Sequence, residues 1–241
     1  MLQNTKDLYG MQLAASDGSI GHVKDFYFDD KSWVLRYLVV DTGSWLTGRL
    51  VLLAPHAFGD LDLSERILHV NLTKAQIEKS PSIESHKPVS RQYELEYYQY
   101  YGWPAYWNGG AMWGMGGYPV TPAPLHEELT SHHRFHHRED KHLQSTQSVK
   151  GYQIQTVDGS IGVVSGFLVN TKSWAIRKME VETGHWYAGK EILIAPSRIE
   201  RISYEESKVY VSLTKTNIEQ AANHSTAPVD TGVPASVTII G

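Results

Sequence analysis

A histidine-rich run in the middle of the chain has the residue types that could bind a metal ion. Its four histidines are His132, His133, His136 and His137. In a helix, residues four apart share a face, so the run would form two histidine pairs on one face. Imidazole nitrogens are common zinc ligands. The nearby residues that could complete the ligand set are Glu127, Glu128, Glu139 and His142. The pattern predicts a metal site at the four histidines, with a solvated charged segment as the alternative.

No other group of residues has the signature of a catalytic site. A zinc peptidase needs a glutamate inside a His-Glu-x-x-His pattern, which the histidine run lacks. The stretch from Gly109 to Gly117 lacks the Lys-Ser/Thr pair of a phosphate-binding loop. The chain has no cysteine, and its formal net charge of -4 argues against broad binding to nucleic-acid phosphates. We therefore predict no enzymatic activity and no cofactor other than the metal ion.

Aromatic side chains are concentrated between about Ser80 and Lys150. Four of them are candidates for contacting a protein partner: Tyr97, Tyr100, Trp103 and Trp107. Tyr and Trp are efficient interface anchors because they combine a large apolar area with a polar group. The alternative is that these aromatics cover apolar surface of the chain itself.

An internal repeat supplies the elements that would position these residues. Compared with itself, the chain matches at a constant offset that aligns Gly10 with Gly151 and Glu78 with Glu219 without a gap. Two long copies indicate a duplicated domain rather than a solenoid. The length allows two domains of modest size, and we expect each copy to bury its own core.

Both copies have the pattern of short β-strands. Asp17-Gly18 predicts a tight hairpin turn, and a change in apolar parity after Gly21 predicts a bulge; the second copy repeats both. Later, Thr73 is a good N-cap for a short helix. Trp45 and Trp186 follow the same Thr-Gly turn in the two copies, and they are candidates for partner contact, with barrel packing as the alternative.

The strand after Trp33 differs between the copies on one face. The residues expected to face the barrel interior are Val34, Arg36, Leu38 and Val40. The residues of the opposite face, which we expect to be partly solvated, are Leu35, Tyr37 and Val39. The second copy has Lys178 and Glu180 where the first has Tyr37 and Val39. Tyr37 and Val39 are therefore predicted to contact the aromatic segment, the second copy or a partner.

The order of these features resembles the PRC-barrel domain. The motifs that carry the resemblance in each copy are Gly-x-x-x-x-x-x-Asp-Gly-x-Ile-Gly-x-Val, Thr-Gly-x-Trp-x-x-Gly and Ala-Pro. The family is named after the cytoplasmic part of the photosynthetic reaction-centre H subunit, and it is similar to the C-terminal half of a ribosome-maturation factor. The resemblance implies an all-β fold of two small PRC-type β-barrels, each followed by a short C-terminal helix and joined by a long aromatic and His-rich linker.

The predicted boundaries follow from the repeat and the resemblance. The first barrel covers residues 7–80, the linker 81–147, the second barrel 148–222 and a disordered tail 223–241. No stretch approaches the roughly 20 apolar residues that span a bilayer. We identify no signal peptide and expect a cytoplasmic location, with peripheral association with the inner membrane as the alternative.

The resemblance implies binding of other proteins, since the family has no catalytic residues to transfer. We expect a non-enzymatic interaction or adaptor module with a protein partner, together with barrel-barrel packing or a homo-oligomer. One alternative is a peripheral subunit of a membrane or photosynthetic electron-transport complex. The other is a metal-binding protein that uses the linker histidines.

Overall fold

The computed structural model describes residues 1–46, 49–80, 91–103, 142–184, 191–224 and 237–240. Within these ranges the chain is mostly β-sheet with a few short helices, as predicted. Fifteen strands of the described residues belong to one hydrogen-bonded sheet.

The strands of the first copy have counterparts, in the same order, in the second. The strands of the first half are β1 (Leu2–Asn4), β2 (Gln12–Ala15), β3 (Gly18–Asp29), β4 (Val34–Asp41), β5 (Leu50–Leu53), β6 (Phe58–Asp62) and β7 (Ile67–Val70). Their counterparts are β8 (Leu143–Ser145), β9 (Gln153–Thr156), β10 (Gly159–Asn170), β11 (Ala175–Thr183), β12 (Glu191–Ile194), β13 (Ile199–Ser203) and β14 (Lys208–Val211). A last strand is β15 (Val237–Ile240).

Helices are short and lie at the ends of the two sets of strands. The α-helices are α1 (Thr5–Leu8), α2 (Lys74–Glu78), α3 (Arg91–Tyr101), α4 (Thr146–Val149) and α5 (Lys215–His224). Single 3-10 turns at Pro55–Ala57 and Pro196–Arg198 follow β5 and β12. At the start of α2, Thr73 and Gln76 form the reciprocal hydrogen bonds of a capping box.

A bulge bends the long strand of each copy at the predicted glycine. Gly21 in β3 has φ of 132°, and a Cβ there would lie 2.0 Å from the carbonyl oxygen of Asp41. Gly162 in β10 has φ of 155°, and its Cβ would lie 2.1 Å from the carbonyl oxygen of Glu182. Only glycine fits such a close backbone approach. The predicted bulge is confirmed in both copies.

A second bulge changes which residues of β4 face the core. The β3–β4 register shifts so that Tyr37 pairs with Tyr27 but Leu35 pairs with Phe28, which makes Arg36 the extra residue. Leu35 is therefore fully buried in the main core on the same side as Leu38 and Val40. The prediction that Leu35 is partly solvated is wrong, because simple alternation ends at Arg36.

The two copies meet directly at the centre of the sheet. The main strand order is β13-β14-β9-β10-β11-β4-β3-β2-β7-β6. Where β4 meets β11, the amide of Leu35 donates to the carbonyl of Trp174 at 2.8 Å. The equivalent bond in reverse runs from the amide of Ile176 to the carbonyl of Trp33 at 2.7 Å. The junction therefore has the same contacts with the two copies exchanged.

One hydrophobic core contains the buried residues of both copies. The rings of Phe28 and Phe167, from the equivalent strands β3 and β10, have centroids 5.4 Å apart. The rings of Trp174 of the second copy and Phe58 of the first are packed edge to face, with centroids 4.7 Å apart. Both copies contribute to the same cluster of buried side chains. The expectation that each copy buries a core of its own is therefore wrong.

Short segments ahead of each copy cross to the opposite copy. β1 pairs with β10 of the second copy, and β8 pairs with β3 of the first. The hydroxyl of Thr5 accepts from the amide of Phe167, and that of Thr146 accepts from the amide of Phe26, both at 3.3 Å. These crossing segments, residues 2–8 and 143–149, lock the copies together through reciprocal contacts.

The crossing segments extend the repeat towards the N-terminus. Leu2-Gln3-Asn4-Thr5 recurs as Leu143-Gln144-Ser145-Thr146 at the same offset as the rest of the repeat. Residues 143–147, which the sequence assigned to the linker, thus form β8 and the start of α4.

A carboxylate from the first copy caps the crossing segment of the second. Asp25 on β3 accepts from the hydroxyl of Thr146 at 2.8 Å and from the amide of Gln147 at 3.1 Å, and also from the hydroxyl of Ser145. The interaction is that of an acid at a helix N-terminus. Burial raises the pKa of Asp25, although these hydrogen bonds oppose the rise.

In the second copy the carboxylate comes from the neighbouring strand. Asp25 and Val39 are cross-strand partners in the first copy, and the equivalent partners are Gly166 and Glu180. The carboxylate of Glu180 forms an ion pair with Lys6, in which Nζ lies 2.6 Å from Oε2. A Cβ at Gly166 would lie 3.0 Å from Oε2 of Glu180, so the small residue makes room for the moved acid.

Residues beyond the predicted barrels are also structured. Within the predicted linker, residues 91–101 form α3. In the predicted disordered tail, α5 continues to His224 and β15 pairs antiparallel with β12. The prediction of disorder is wrong for these residues, because Val237-Thr238-Ile239-Ile240 is rich in β-branched residues and extends an open sheet edge. Among the described helices, none combines the length and apolar character that crossing a bilayer requires.

Substitution of Lys6 by Met tests the contribution of its ion pair with Glu180. The side chain of Glu180 is 5% exposed and that of Lys6 is 38% exposed. We expect the free energy of unfolding at pH 7 to fall by about 2 kcal/mol, less than for a fully buried pair.

The contribution of the pair depends on pH. Burial alone would raise the pKa of Glu180, but hydrogen bonds from Lys6 and Asn4 lower it. The stabilisation is therefore present above the ordinary glutamate pKa and is lost as pH falls through the lowered pKa.

Urea unfolding at pH 7 and at pH 3 measures this difference. The matched control is Lys24→Met, which removes an exposed lysine from β3. Equal losses in the two variants, or a Lys6→Met loss that does not shrink at pH 3, would contradict the assignment.

Candidate protein-interaction site

Helix α3 covers the outer face of β4 and β5. Its Tyr97 and Tyr98 are fully buried against Tyr37 and Val39 of β4 and Leu52 of β5. These residues form a second hydrophobic cluster, on the opposite side of the sheet from the main core. The prediction that the aromatic segment contacts Tyr37 or Val39 is confirmed. The expectation that Tyr37 and Val39 are partly solvated is wrong, because α3 covers both.

The residues of α3 that face the sheet recur at helical spacing. Glu94, Tyr97, Tyr98 and Tyr101 are three or four positions apart, which places them on one face. The first three are buried and Tyr101 is half-buried. The intervening Glu96 and Gln99 are exposed, so the helix docks through one tyrosine-rich stripe.

Hydroxyl groups inside the second cluster have specific partners. Tyr97 Oη accepts from the amide of Ala54 at 3.0 Å and donates to the carbonyl of Leu52 at 2.9 Å. Tyr37 Oη donates to Oε1 of Glu94 at 2.9 Å. Because buried polar groups need such partners, these bonds fix the position of α3 on the strands. Sequence reasoning did not single out Glu94, whose only signal was its helical spacing from Tyr97 and Tyr98.

The ionisation of these groups follows from burial. Burial raises the pKa of Tyr98 far above its ordinary value and that of Tyr101 to about 12. Both hydroxyls therefore keep their protons at neutral pH. Partial desolvation of its ring lowers the pKa of His56, which favours the neutral imidazole at neutral pH.

A stack of rings forms the accessible edge of the docked helix. Tyr101 and Trp103 are stacked with centroids 4.5 Å apart and planes at 13°. His56 stacks on Trp103 at 5.4 Å. His56 is exposed, Tyr101 and Trp103 are half-buried, and Tyr100 is 42% exposed. We call these four residues the aromatic surface.

Contacts with α2 hold the aromatic surface in place. Tyr100 Oη donates to the carbonyl of Gln76 at 2.9 Å. Arg49 donates to the carbonyl of Glu78 at 3.0 Å and to that of Ser80. These side chains satisfy carbonyls at and beyond the C-terminus of α2. The aromatic surface thus lies where α2, α3 and the sheet contact one another.

The predicted partner-binding residues separate into three groups. Tyr37, Val39 and Tyr97 lie inside the second cluster, where they contact the chain itself. Tyr100 and Trp103 belong to the aromatic surface. Trp45 packs partly buried against the main core, with Nζ of Lys74 4.8 Å from its ring. The remaining predicted residues, Trp107 and Trp186, lie outside the described residues.

The predicted metal ligands cannot be placed in the same way. His132, His133, His136 and His137 lie outside the described residues, as do the glutamates near them. His142 is described, and its Nδ1 lies 2.9 Å from Oδ1 of Asp30. Among the described residues, no group of three or more metal-ligating side chains is arranged to hold an ion.

Replacement of Tyr37 and Val39 by the second-copy residues tests the docking of α3. The double variant Tyr37→Lys/Val39→Glu places two charges in a fully buried cluster and removes the Tyr37 bond to Glu94. We expect a loss of at least about 3 kcal/mol and faster proteolysis near Trp103 as α3 detaches. Thermal melting and limited proteolysis measure both effects.

The matched control is Lys178→Ala, at the half-buried second-copy position equivalent to Tyr37. Its cleavage near Trp103 should equal that of the wild type. An unchanged cleavage rate in the double variant would show that α3 does not depend on this cluster.

A comparison with known protein families agrees with the architecture of the first copy. No curated protein matches the chain. A family model for the PRC-barrel domain matches residues 4–77, a little under a third of the chain. The match includes α1 of the first crossing segment and ends within α2. The family model does not match the second copy. We assign that copy from the internal repeat and from the one-to-one equivalence of its strands with those of the first copy. Residues 4–77 thus match the PRC-barrel domain.

Proposed function

We propose that this chain is a non-enzymatic protein-interaction or adaptor module. The PRC-barrel match of residues 4–77 supports an interaction role at family level. We further propose that the second copy is a PRC-type barrel, supported by the repeat and by the same strand order. In this proposal the two barrels act as one unit, because they share a core and exchange segments.

We propose that the aromatic surface is where a protein partner binds. The observation that carries this proposal is the stack of His56, Trp103 and Tyr101 at the accessible edge of α3. Aromatic side chains provide most binding free energy when they are held rigid, because little conformational entropy is lost on binding. Here the buried Tyr97 and Tyr98 anchor the helix before any partner arrives.

The neutral state of the stack also favours an apolar contact. His56 has a lowered pKa, so it presents an uncharged ring at neutral pH. The tyrosine hydroxyl of Tyr100 is already bonded to Gln76. The surface therefore offers mainly ring faces and edges, which suit aliphatic or aromatic side chains of a folded partner.

The two other functional predictions stay open. Peripheral membership of a membrane or photosynthetic complex rests on the family resemblance alone. Metal binding rests on histidines outside the described residues. The cytoplasmic location and the absence of enzymatic activity remain predictions as well.

Substitution of Trp103 by Ala tests the partner-binding proposal. Full-length tagged protein is expressed in its native cells, and co-purified proteins are quantified by mass spectrometry. Loss of a central interface tryptophan costs about 2 kcal/mol or more, so recovery of the principal partner should fall at least about tenfold. The matched control is Tyr204→Ala, which removes an aromatic that is 74% exposed in the second copy.

The melting temperatures of both variants show whether they remain folded. Equal recovery of the same partner by the wild type and both variants would overturn the assignment of the aromatic surface.

A further inference from the structure

The outer edge of β5 is occupied by a side chain instead of a strand. On one side β5 pairs with β4, with Leu52 opposite Val39. On the other side, none of the strands in the described ranges pairs with β5. The carbonyl of Leu52 and the amide of Ala54 point to that side, and both bond to the hydroxyl of Tyr97. A carbonyl and an amide two residues apart on one edge are the pair that a neighbouring strand uses.

The repeat shows what binds at the equivalent edge. Leu193 in β12 corresponds to Leu52 in β5, by the same offset that aligns the two copies. There β15 completes the sheet, with Leu193 opposite Thr238 and Ile194 opposite Val237. One copy thus binds an extended segment where the other binds the Tyr97 hydroxyl. The two edges carry similar aliphatic sequences, Leu-Val-Leu-Leu and Glu-Ile-Leu-Ile.

We propose that the outer edge of β5 is a binding site for an extended strand of a partner protein. The strand is a short aliphatic, β-branched segment like Val237–Ile240, added antiparallel to β5 as β15 is added to β12. Tyr97 is the gate of this site, because its hydroxyl holds the two backbone groups that the incoming strand must use. This inference goes beyond the aromatic surface: it adds a second binding site to the proposed interaction module, and it rests on that proposal for its biological setting.

The gate explains the different protection of the two edges. An open aliphatic edge strand invites unspecific pairing with other chains. β15 protects β12 by backbone pairing along four residues. Tyr97 bonds to β5 at only two groups, and it is carried by a separate helix. Because residues 51–54 are fully buried, a competing strand that bonds along β5 must displace Tyr97 together with its helix.

A labelled peptide with the sequence of residues 236–241, Ser-Val-Thr-Ile-Ile-Gly, is the probe. Its affinity for the full-length chain is measured by fluorescence anisotropy. The variant Tyr97→Phe removes the gating hydroxyl and keeps the ring in the cluster. We expect it to bind the peptide at least tenfold more tightly than the wild type. The matched control is Tyr100→Phe, which removes a hydroxyl of the same helix that bonds to Gln76 instead of β5. Its affinity should equal that of the wild type.

Removal of the edge amide locates the bound peptide. Ala54 has φ of -76° and ψ of 152°, which proline also adopts, so Ala54→Pro deletes the N–H without backbone strain. In the double variant Tyr97→Phe/Ala54→Pro the tenfold gain should disappear. Binding at β12, in competition with β15, would be unaffected by either substitution. Circular dichroism and thermal melting establish that each variant is folded.

Equal peptide affinity in the Tyr97→Phe and Tyr100→Phe variants would overturn the proposal, as would a gain that survives Ala54→Pro. Either result would leave the Trp103 test unaffected, because that test measures a different surface with a different partner. Conversely, if Trp103→Ala leaves partner recovery unchanged while Tyr97→Phe tightens peptide binding, the strand site is supported and the aromatic surface is rejected.

Discussion

The reciprocal crossing of residues 2–8 and 143–149 is the constraint on which the rest of the structure depends. Each segment adds a strand to the long strand of the other copy, and each places a threonine hydroxyl on a buried backbone amide of that copy. Because neither copy keeps its own first strand, neither can complete its sheet alone. The shared core around Phe28 and Phe167 is the consequence of this exchange. The unit that presents any binding surface is therefore the pair.

Duplication has let the two copies specialise without losing this constraint. The acid that holds the crossing segment is Asp25 on β3 in the first copy. In the second copy it is Glu180 on β11, the strand equivalent to β4. Its move to Glu180 puts a charge on the outer face of the second copy. In the first copy the same position is Val39, so that outer face stays apolar and receives α3. The differences at two positions, Tyr37 against Lys178 and Val39 against Glu180, thus leave the outer face of the first copy apolar where α3 packs.

Much of the fold could be predicted from the sequence, because the repeat and the turn residues report local geometry. The hairpin between β2 and β3, the bulge at Gly21 and the covering of Tyr37 all follow from residue patterns. The turn of that hairpin lies one residue earlier than predicted, at Ser16-Asp17, because Gly18 already pairs with Ala15. The crossing could not be predicted, since a strand sequence does not state which copy it pairs with. The bulge at Arg36 could not be predicted either, because the sequence around Arg36 shows no break in the expected strand alternation. Glu94 was not predicted as a site residue, because the sequence alone does not show that its carboxylate is buried and bonded to Tyr37.

Disulfide trapping tests the crossing of the segments most directly, and the chain offers a background without cysteine. Leu2 lies opposite Asn170 of the second copy in the β1–β10 pairing. If the segment instead stayed with its own copy, Leu2 would lie opposite Asp29, the equivalent of Asn170. The pair Leu2→Cys/Asn170→Cys should therefore form an intrachain disulfide under mild oxidation at low protein concentration, and the matched pair Leu2→Cys/Asp29→Cys should not. Cross-linking of the Leu2–Asp29 pair alone would contradict the exchange and the single shared core.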